Sequence, residues 1–137
     1  MIVSTRGRYA LRVMICLAQQ PENTYTPLKE VVQQEGISQK YLESIMTSLS
    51  KAGFVDALHG KGGGYRLNRR PEEYTIGSIL ELTEGNLNGV CCTAESDEGC
   101  SRNGCCQAKP MWDKLNGMIH DFFEKITLAD LLDAPNP

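Results

Sequence analysis

The chain contains no run approaching the roughly 20 apolar residues that span a bilayer. Its basic, apolar N-terminal stretch is interrupted by Arg12 and followed by no small-residue cleavage site, which argues against a secretory leader. A cytoplasmic protein with no membrane partner is expected. Histidine is scarce: His59 and His120 are the only two, and neither lies near a cysteine in sequence. A cysteine–histidine catalytic pair is therefore unsupported. A GKS/GKT motif and a GxGxxG motif are both absent, which removes a nucleotide-phosphate site. These absences point away from an enzyme.

Charge is unevenly spread. The 137 residues sum to −3, yet residues 1–70 carry ten Lys/Arg against five Asp/Glu, and residues 71–137 carry four against twelve. A basic half within an acidic chain suggests a polyanion-binding face confined to that half. An uneven but merely solvated surface is the plainer alternative.

Residues 4–20 read as a helix, with Ala10, Val13, Met14, Leu17 and Ala18 at helical spacing and Pro21 closing it. Arg6, Arg8 and Arg12 near its start are placed either to reach phosphates or simply to be solvated. Cys16 sits among apolar neighbours and reads as a core thiol. Thr26-Pro27 reads as a helix start, with Thr26 as cap, and Gly36 as its stop. Ser38 then caps a second helix after a tight turn. Its Leu42, Ile45, Met46 and Leu49 form the buried stripe, and Gly53 ends it. The opposite face carries Ser38, Gln39, Lys40, Tyr41, Glu43, Ser44, Thr47 and Ser48, a row of polar, hydrogen-bonding side chains. This is helix-turn-helix spacing, although an αα-hairpin packed only for stability has the same outline.

The following segment favours nucleic acid. Phe54–Leu58 and Tyr65–Leu67 read as two strands around HGKGGG, a hairpin with a basic, glycine-rich tip. After a helix-turn-helix, such a hairpin is a wing. Lys61, Arg66, Arg69 and Arg70 supply charge, and Gly60, Gly62 and Gly63 permit close backbone approach to a phosphate or a groove. His59 is either a hydrogen-bonding group or an ordinary turn residue. Thr75 caps a short helix that Gly85 ends. Beyond Pro110, Trp112, Leu115, Ile119, Phe122 and Ile126, widened by Met118 and Phe123, form the longest apolar stripe. So large a stripe on so small a chain reads as a dimerisation helix. Thr127 caps a last short helix. The expected fold is mainly α with a small β-hairpin. A winged helix-turn-helix domain (1–74) precedes a cysteine-loop sensor and dimerisation segment (75–137).

Five of the six cysteines fall in VCCTAESDEGCSRNGCC. With no apolar residue larger than alanine between Cys92 and Cys105, this segment cannot form its own core. Cys92, Cys100 and Cys106 have the spacing C-x7-C-x5-C, flanked by Cys91 and Cys105. The three spaced cysteines lack the C-x2-4-C pairs usual in structural zinc sites. Iron–sulfur clusters accept wider spacing. Adjacent cysteines rarely bond each other without strain. The residues favour a cluster and leave open a thiol redox switch, zinc or no ligand.

Five stretches carry a more specific likeness: TRGRYALRVMICLA, GISQKYLESIMTSLSKAGFV, HGKGGGYRLNR, the three spaced cysteines and DFFEKITLADLL. Together they resemble the IscR/NsrR/CymR group (the Rrf-two family) of bacterial transcription regulators, nearest to its iron–sulfur members. The resemblance covers nearly the whole chain. It implies a homodimer that binds a double-stranded DNA operator. It implies that Ser38, Gln39, Lys40, Tyr41, Glu43 and Ser44 face bases and backbone in the major groove. The wing, Lys61 with Gly60–Gly64, would touch the minor groove, with Arg8, His59 and Arg66 beside it. It also implies that Cys92, Cys100 and Cys106 ligate an iron–sulfur cluster, 2Fe–2S ahead of 4Fe–4S, whose state alters DNA binding. The departures concern the fourth ligand. Lys109 stands where related members have a histidine, and Arg8 where others have an acidic residue. Cys91 or Cys105 are the substitutes at hand, with Glu95, Asp97 and Glu98 behind them. The alternative is a cluster-free repressor controlled by thiol oxidation or by a protein or small-molecule partner.

Overall fold

The computed structural model describes residues 3–90 and 104–134. Helix α1 (Thr5–Ala18) begins where the Ser4 hydroxyl accepts from the Gly7 N–H, and it buries Ala10, Val13, Met14 and Leu17. Helix α2 (Leu28–Glu35) ends at Gly36, whose φ of 65° is the left-handed turn a glycine accommodates freely. Helix α3 (Gln39–Lys51) follows. The Ser38 hydroxyl caps it by accepting from the Tyr41 N–H, and Leu42, Ile45, Met46 and Leu49 face inward. Apolar spacing and local caps thus give the expected helix-turn-helix.

Strands β1 (Val55–Leu58) and β2 (Gly64–Leu67) pair antiparallel, with Val55 opposite Leu67 and Leu58 opposite Gly64. The start of α2 differs from the sequence expectation. Its cap position is Pro27, not Thr26. Thr26 is buried and pairs with Tyr65, its N–H donating to the Tyr65 carbonyl (2.8 Å) and its carbonyl accepting the Tyr65 N–H (2.9 Å). With the Thr26 carbonyl taken by Tyr65, it is the Pro27 carbonyl that accepts the first helical N–H groups, those of Glu30 (3.0 Å) and Val31 (3.4 Å), so the helix starts after the proline. The hairpin thereby gains a third, one-residue strand.

A 3-10 turn (Pro71–Glu73) leads to α4 (Ile76–Glu84), capped by Thr75. Helix α5 (Lys109–Glu124) has Pro110 in its first turn, where the missing N–H costs nothing. Helix α6 (Leu128–Leu132) opens with a capping box between Thr127 and Asp130. One buried cluster joins α1, α2, α3 and β1 to Tyr74, Ile79 and Leu128. A second gathers Ile76, Leu80 and Leu87 under Ile119, Phe123, Ile126 and Leu131. The apolar stripe of α5 therefore splits. One side packs inward, whereas Met111, Leu115, Met118 and Phe122 stay exposed, Met118 at 61%. Among the described residues, no helix is long and apolar enough to cross a membrane.

Two buried groups are electrostatically displaced. The Cys16 thiol donates to Gln34 Oε1 (3.0 Å). Burial, then Glu35 and Glu30, raises its pKa above the ordinary thiol value. Burial likewise raises the pKa of Tyr74, whose hydroxyl donates to the Phe54 carbonyl (2.7 Å) and accepts the Asn68 N–H (3.2 Å). Both groups hold their protons more tightly folded than unfolded. Their stabilising contribution is full below the unfolded pKa and is lost as pH rises toward the folded one. Tyr74→Phe should lower stability by about 1–3 kcal/mol at neutral pH, because the Phe54 carbonyl loses its donor. It should also remove the upper part of the alkaline decline. Denaturant melts across pH check both effects.

Candidate functional site

The exposed face of α3 is the centre of the candidate site. Gln39, Lys40, Glu43, Ser44 and Thr47 are exposed there. Tyr41 is half-buried, its ring set edge-on to Tyr9 at 5.7 Å. The face is partly tied to itself. Gln39 Nε2 donates to Glu43 Oε1 (3.3 Å), and the Thr47 hydroxyl donates to the Glu43 carbonyl (2.8 Å). It is also held from outside: Arg6 Nη1 donates to Ser44 Oγ (3.0 Å), and Nη2 donates to Ser48 Oγ (2.7 Å) and the Ser44 carbonyl (3.3 Å).

The other arginines of α1 divide by partner. Arg12 Nε pairs with Glu35 at 2.8 Å and its guanidinium lies 5.4 Å from the Tyr9 ring centre, so it locks α1 to α2. Arg8 is exposed, and its guanidinium donates to the Thr5 hydroxyl (3.2 Å). In the hairpin, Arg66 lies opposite Asp56, pairs with it at 3.5 Å and stacks over Tyr25 at 4.6 Å. Arg69 reaches the Gly53 carbonyl and lies over Phe54 and Tyr74. His59, Gly60, Lys61 and Gly62 form the exposed tip. At the tip, the described residues give Lys61 no ion pair.

The wing glycines have two physical roles that the sequence did not separate. Gly60 and Gly62 have positive φ (95° and 78°) and open space where a Cβ would stand. At Gly63 a Cβ would meet the Leu58 carbonyl, and at Gly64 (φ 152°) the Thr26 carbonyl, both at impossible distances. Gly63 and Gly64 thus make room for the protein's own backbone, and only Gly60 and Gly62 leave the tip open outward.

Of the cysteines singled out, Cys91, Cys92 and Cys100 lie outside the described residues. Cys105 is exposed and Cys106 half-exposed, and both are free thiols. Cys106 stands one turn ahead of α5, its carbonyl accepting the Lys109 N–H (3.2 Å). Lys109 turns its ammonium to Asp113 at 2.7 Å on its own helix. A separate donor set, Glu81, His120 and Glu124, brings one ligand atom each within 4.8 Å of the others, but Glu81 and His120 are exposed and only proximity marks it.

Two residues central to this geometry carried little or no sequence signal. Arg6 was one of three basic residues with no assigned partner. Glu84 was not singled out, yet its carboxylate accepts from both the Ser4 N–H (3.1 Å) and the Ser4 hydroxyl at the start of α1.

Comparison with known proteins agrees with this arrangement. The Rrf2 profile, described as an iron-dependent transcriptional regulator, matches residues 3–134. The HTH-type transcriptional regulator IscR of Aliivibrio salmonicida is 32% identical over 132 residues, covering 96% of this chain and 77% of its own length. The structure of CymR, the global cysteine regulator of B. subtilis, superposes with a TM-score of 0.79 at 31% identity, covering 99% of both chains. IscR of T. potens superposes with a TM-score of 0.76 at 29% identity, covering 100% of this chain and 94% of that one.

The glycine roles are separable by measurement. Gly64→Ala should destabilise the fold by several kcal/mol, since backbone must move and φ is wrong for alanine. Gly60→Ala should cost about 1 kcal/mol, from backbone strain alone. Thermal melts of the two variants give the comparison.

Proposed function

The chain belongs to the Rrf2 family of transcriptional regulators, and from that premise we propose a homodimeric, cytoplasmic DNA-binding regulator governed by an iron–sulfur cluster. The observation that carries the DNA-reading part is the juxtaposition on one rigid scaffold of a polar, exposed α3 face and an exposed basic wing tip. Ser38, Gln39, Lys40, Tyr41, Glu43 and Ser44 meet base edges and backbone in the major groove. His59, Gly60, Lys61, Gly62 and Gly63 approach the adjacent backbone or minor groove, with Arg8 and Arg66 contributing positive field. Residues 1–74 read DNA, and residues 75–137 sense and pair.

Cys92, Cys100 and Cys106 hold the cluster, with Cys91 or Cys105 in the fourth position, and a 2Fe–2S form is favoured. Bound there, such a cluster supplies a centre sensitive to redox state, nitric oxide and iron supply. The chain's own part is mechanical. Ligation fixes the segment between α4 and α5, which changes how the two α3 helices of a dimer are set relative to each other. A second reading, regulation by thiol oxidation without a cluster, is favoured by one observation: Cys105 and Cys106 are free and accessible while Lys109 occupies the histidine position.

Protein purified without oxygen should absorb visible light and carry iron and sulfide in near-stoichiometric amounts. It should lose both in Cys92→Ala and bind duplex DNA differently when loaded and when apo. Colourless protein from iron-replete anaerobic cells, with DNA binding that answers to a thiol oxidant, would transfer the role to the second reading.

The exposed stripe Met111, Leu115, Met118 and Phe122 is the pairing surface, since water-facing apolar side chains at helical spacing favour a symmetric partner helix. Met118→Glu should leave the folded chain intact and shift it from dimer to monomer in sedimentation. An unchanged dimer would place the interface elsewhere.

A further inference from the structure

The first turn of α1 is gripped from two sides. On one side the Glu84 carboxylate, at the last residue of α4, accepts from the Ser4 N–H and hydroxyl, while the Ser4 hydroxyl accepts from the Gly7 N–H. A negative group at a helix N-terminus is stabilised by the helix dipole and by charge-assisted hydrogen bonds. The approach is close: a Cβ on Gly7 would push the Glu84 carboxylate from its place against Ser4. On the other side Arg6, next to Gly7, sends its guanidinium fork into α3, where it donates to Ser44 Oγ, Ser48 Oγ and the Ser44 carbonyl.

That fork changes what the α3 face can recognise. A serine hydroxyl has one proton to donate and lone pairs to accept with, so an isolated serine reads either kind of base edge. Here Ser48 accepts from Arg6 and donates to the Ser44 carbonyl (3.2 Å), so its hydroxyl is turned back onto the helix. Thr47 also donates inward, to the Glu43 carbonyl. Of these three hydroxyls, among the described residues, that of Ser44 alone keeps its proton for an outside acceptor, and one of its two lone pairs is taken by Arg6. Ser44 is exposed. The result is a hydroxyl on the exposed face of α3 that is biased toward donating.

We propose that Arg6 is a specificity-determining positioning residue, which biases Ser44 toward donor readout, and that Glu84 holds Arg6 in register. This rests on the reading that α3 meets base edges. Ser44 should therefore select bases presenting an acceptor in the major groove (the N7 of a purine, O6 of guanine or O4 of thymine) over the amino group of cytosine. Because Glu84 closes α4 just before the cysteine-bearing segment, the same grip ties the register of Ser44 to that segment's anchoring helix.

The test uses the full-length protein and a randomised duplex pool. Wild type is selected first and its affinity followed against salt. Ser44→Ala then locates the base position that Ser44 reads. At that position Arg6→Gln should reduce the wild-type preference by about fivefold to tenfold, a single-contact fraction of the discrimination a good bidentate pair gives. The double variant Arg6→Gln/Ser44→Ala should lose no more than Ser44→Ala alone. Arg6→Lys retains the charge but cannot fork between two serines. It should keep the wild-type salt slope and still lose preference. Glu84→Gln should weaken the same position in the same direction, by less. Unchanged preference in Arg6→Gln, or a loss spread evenly over all sequences, would overturn the proposal, the latter by making Arg6 a phosphate contact. No salt-dependent binding by wild type would instead overturn the DNA-binding reading beneath it.

Discussion

The Tyr74 phenol sits with no exposure at the point where four parts of the chain meet. Its hydroxyl donates to the Phe54 carbonyl, at the end of the α3–β1 connection, and accepts the Asn68 N–H just past β2. Its own carbonyl accepts the Leu128 N–H at the head of α6. One step on, the Ile76 N–H donates to the Ile126 carbonyl and Thr75 bridges Thr127. The hairpin, the 3-10 turn and the C-terminal helix are thus referenced to one buried polar group. Polar groups this deep persist only when every partner is in place, which makes such a node intolerant of rearrangement. Helix α5 stands apart from this node and joins the rest through the smaller apolar cluster.

That division bears on signalling. Helix α5 has no fully buried residue of its own within the single chain. Its inward side rests on Ile76, Leu80 and Leu87, and its outward side is apolar and uncovered. In the proposed regulator, such an element would take its final position from a second chain or from ligation of the preceding cysteines. The winged part is packed the opposite way: α1, α2, α3 and β1 share one buried cluster, and Glu84 of α4 is hydrogen-bonded to Ser4 at the head of α1.

Local physics made much of this legible from sequence. Ser38, Thr75 and Thr127 act as helix caps because capping is a bond to the next turn, visible in a few residues. The buried stripe of α3 follows directly from its period. What escaped was set by distant partners. Thr26 looks like a cap until Tyr65 takes its backbone. Arg6 and Arg12 look equivalent until one is given serines and the other a glutamate. The run of wing glycines looks uniform until the Thr26 and Leu58 carbonyls are found against two of them. Arg66, expected to serve DNA, is already engaged by Asp56 and Tyr25, which leaves Lys61 as the more available charge.

The bridge between Thr26 and Tyr65 has a geometric consequence. It ties β2 close to its turn end, where Tyr65 faces Ala57, to the segment that leads into α2, so the wing is hydrogen-bonded to the helix-turn-helix near the tip and not only at its base. The distance between the reading face and the wing tip is then a fixed caliper. A duplex that met both faces, as proposed, would have to supply the groove width and curvature that this spacing sets. Sequences that bend or narrow readily at the right steps are favoured at positions no side chain touches. Selectivity of that kind is written in the stiffness of the protein and collected from the softness of the DNA.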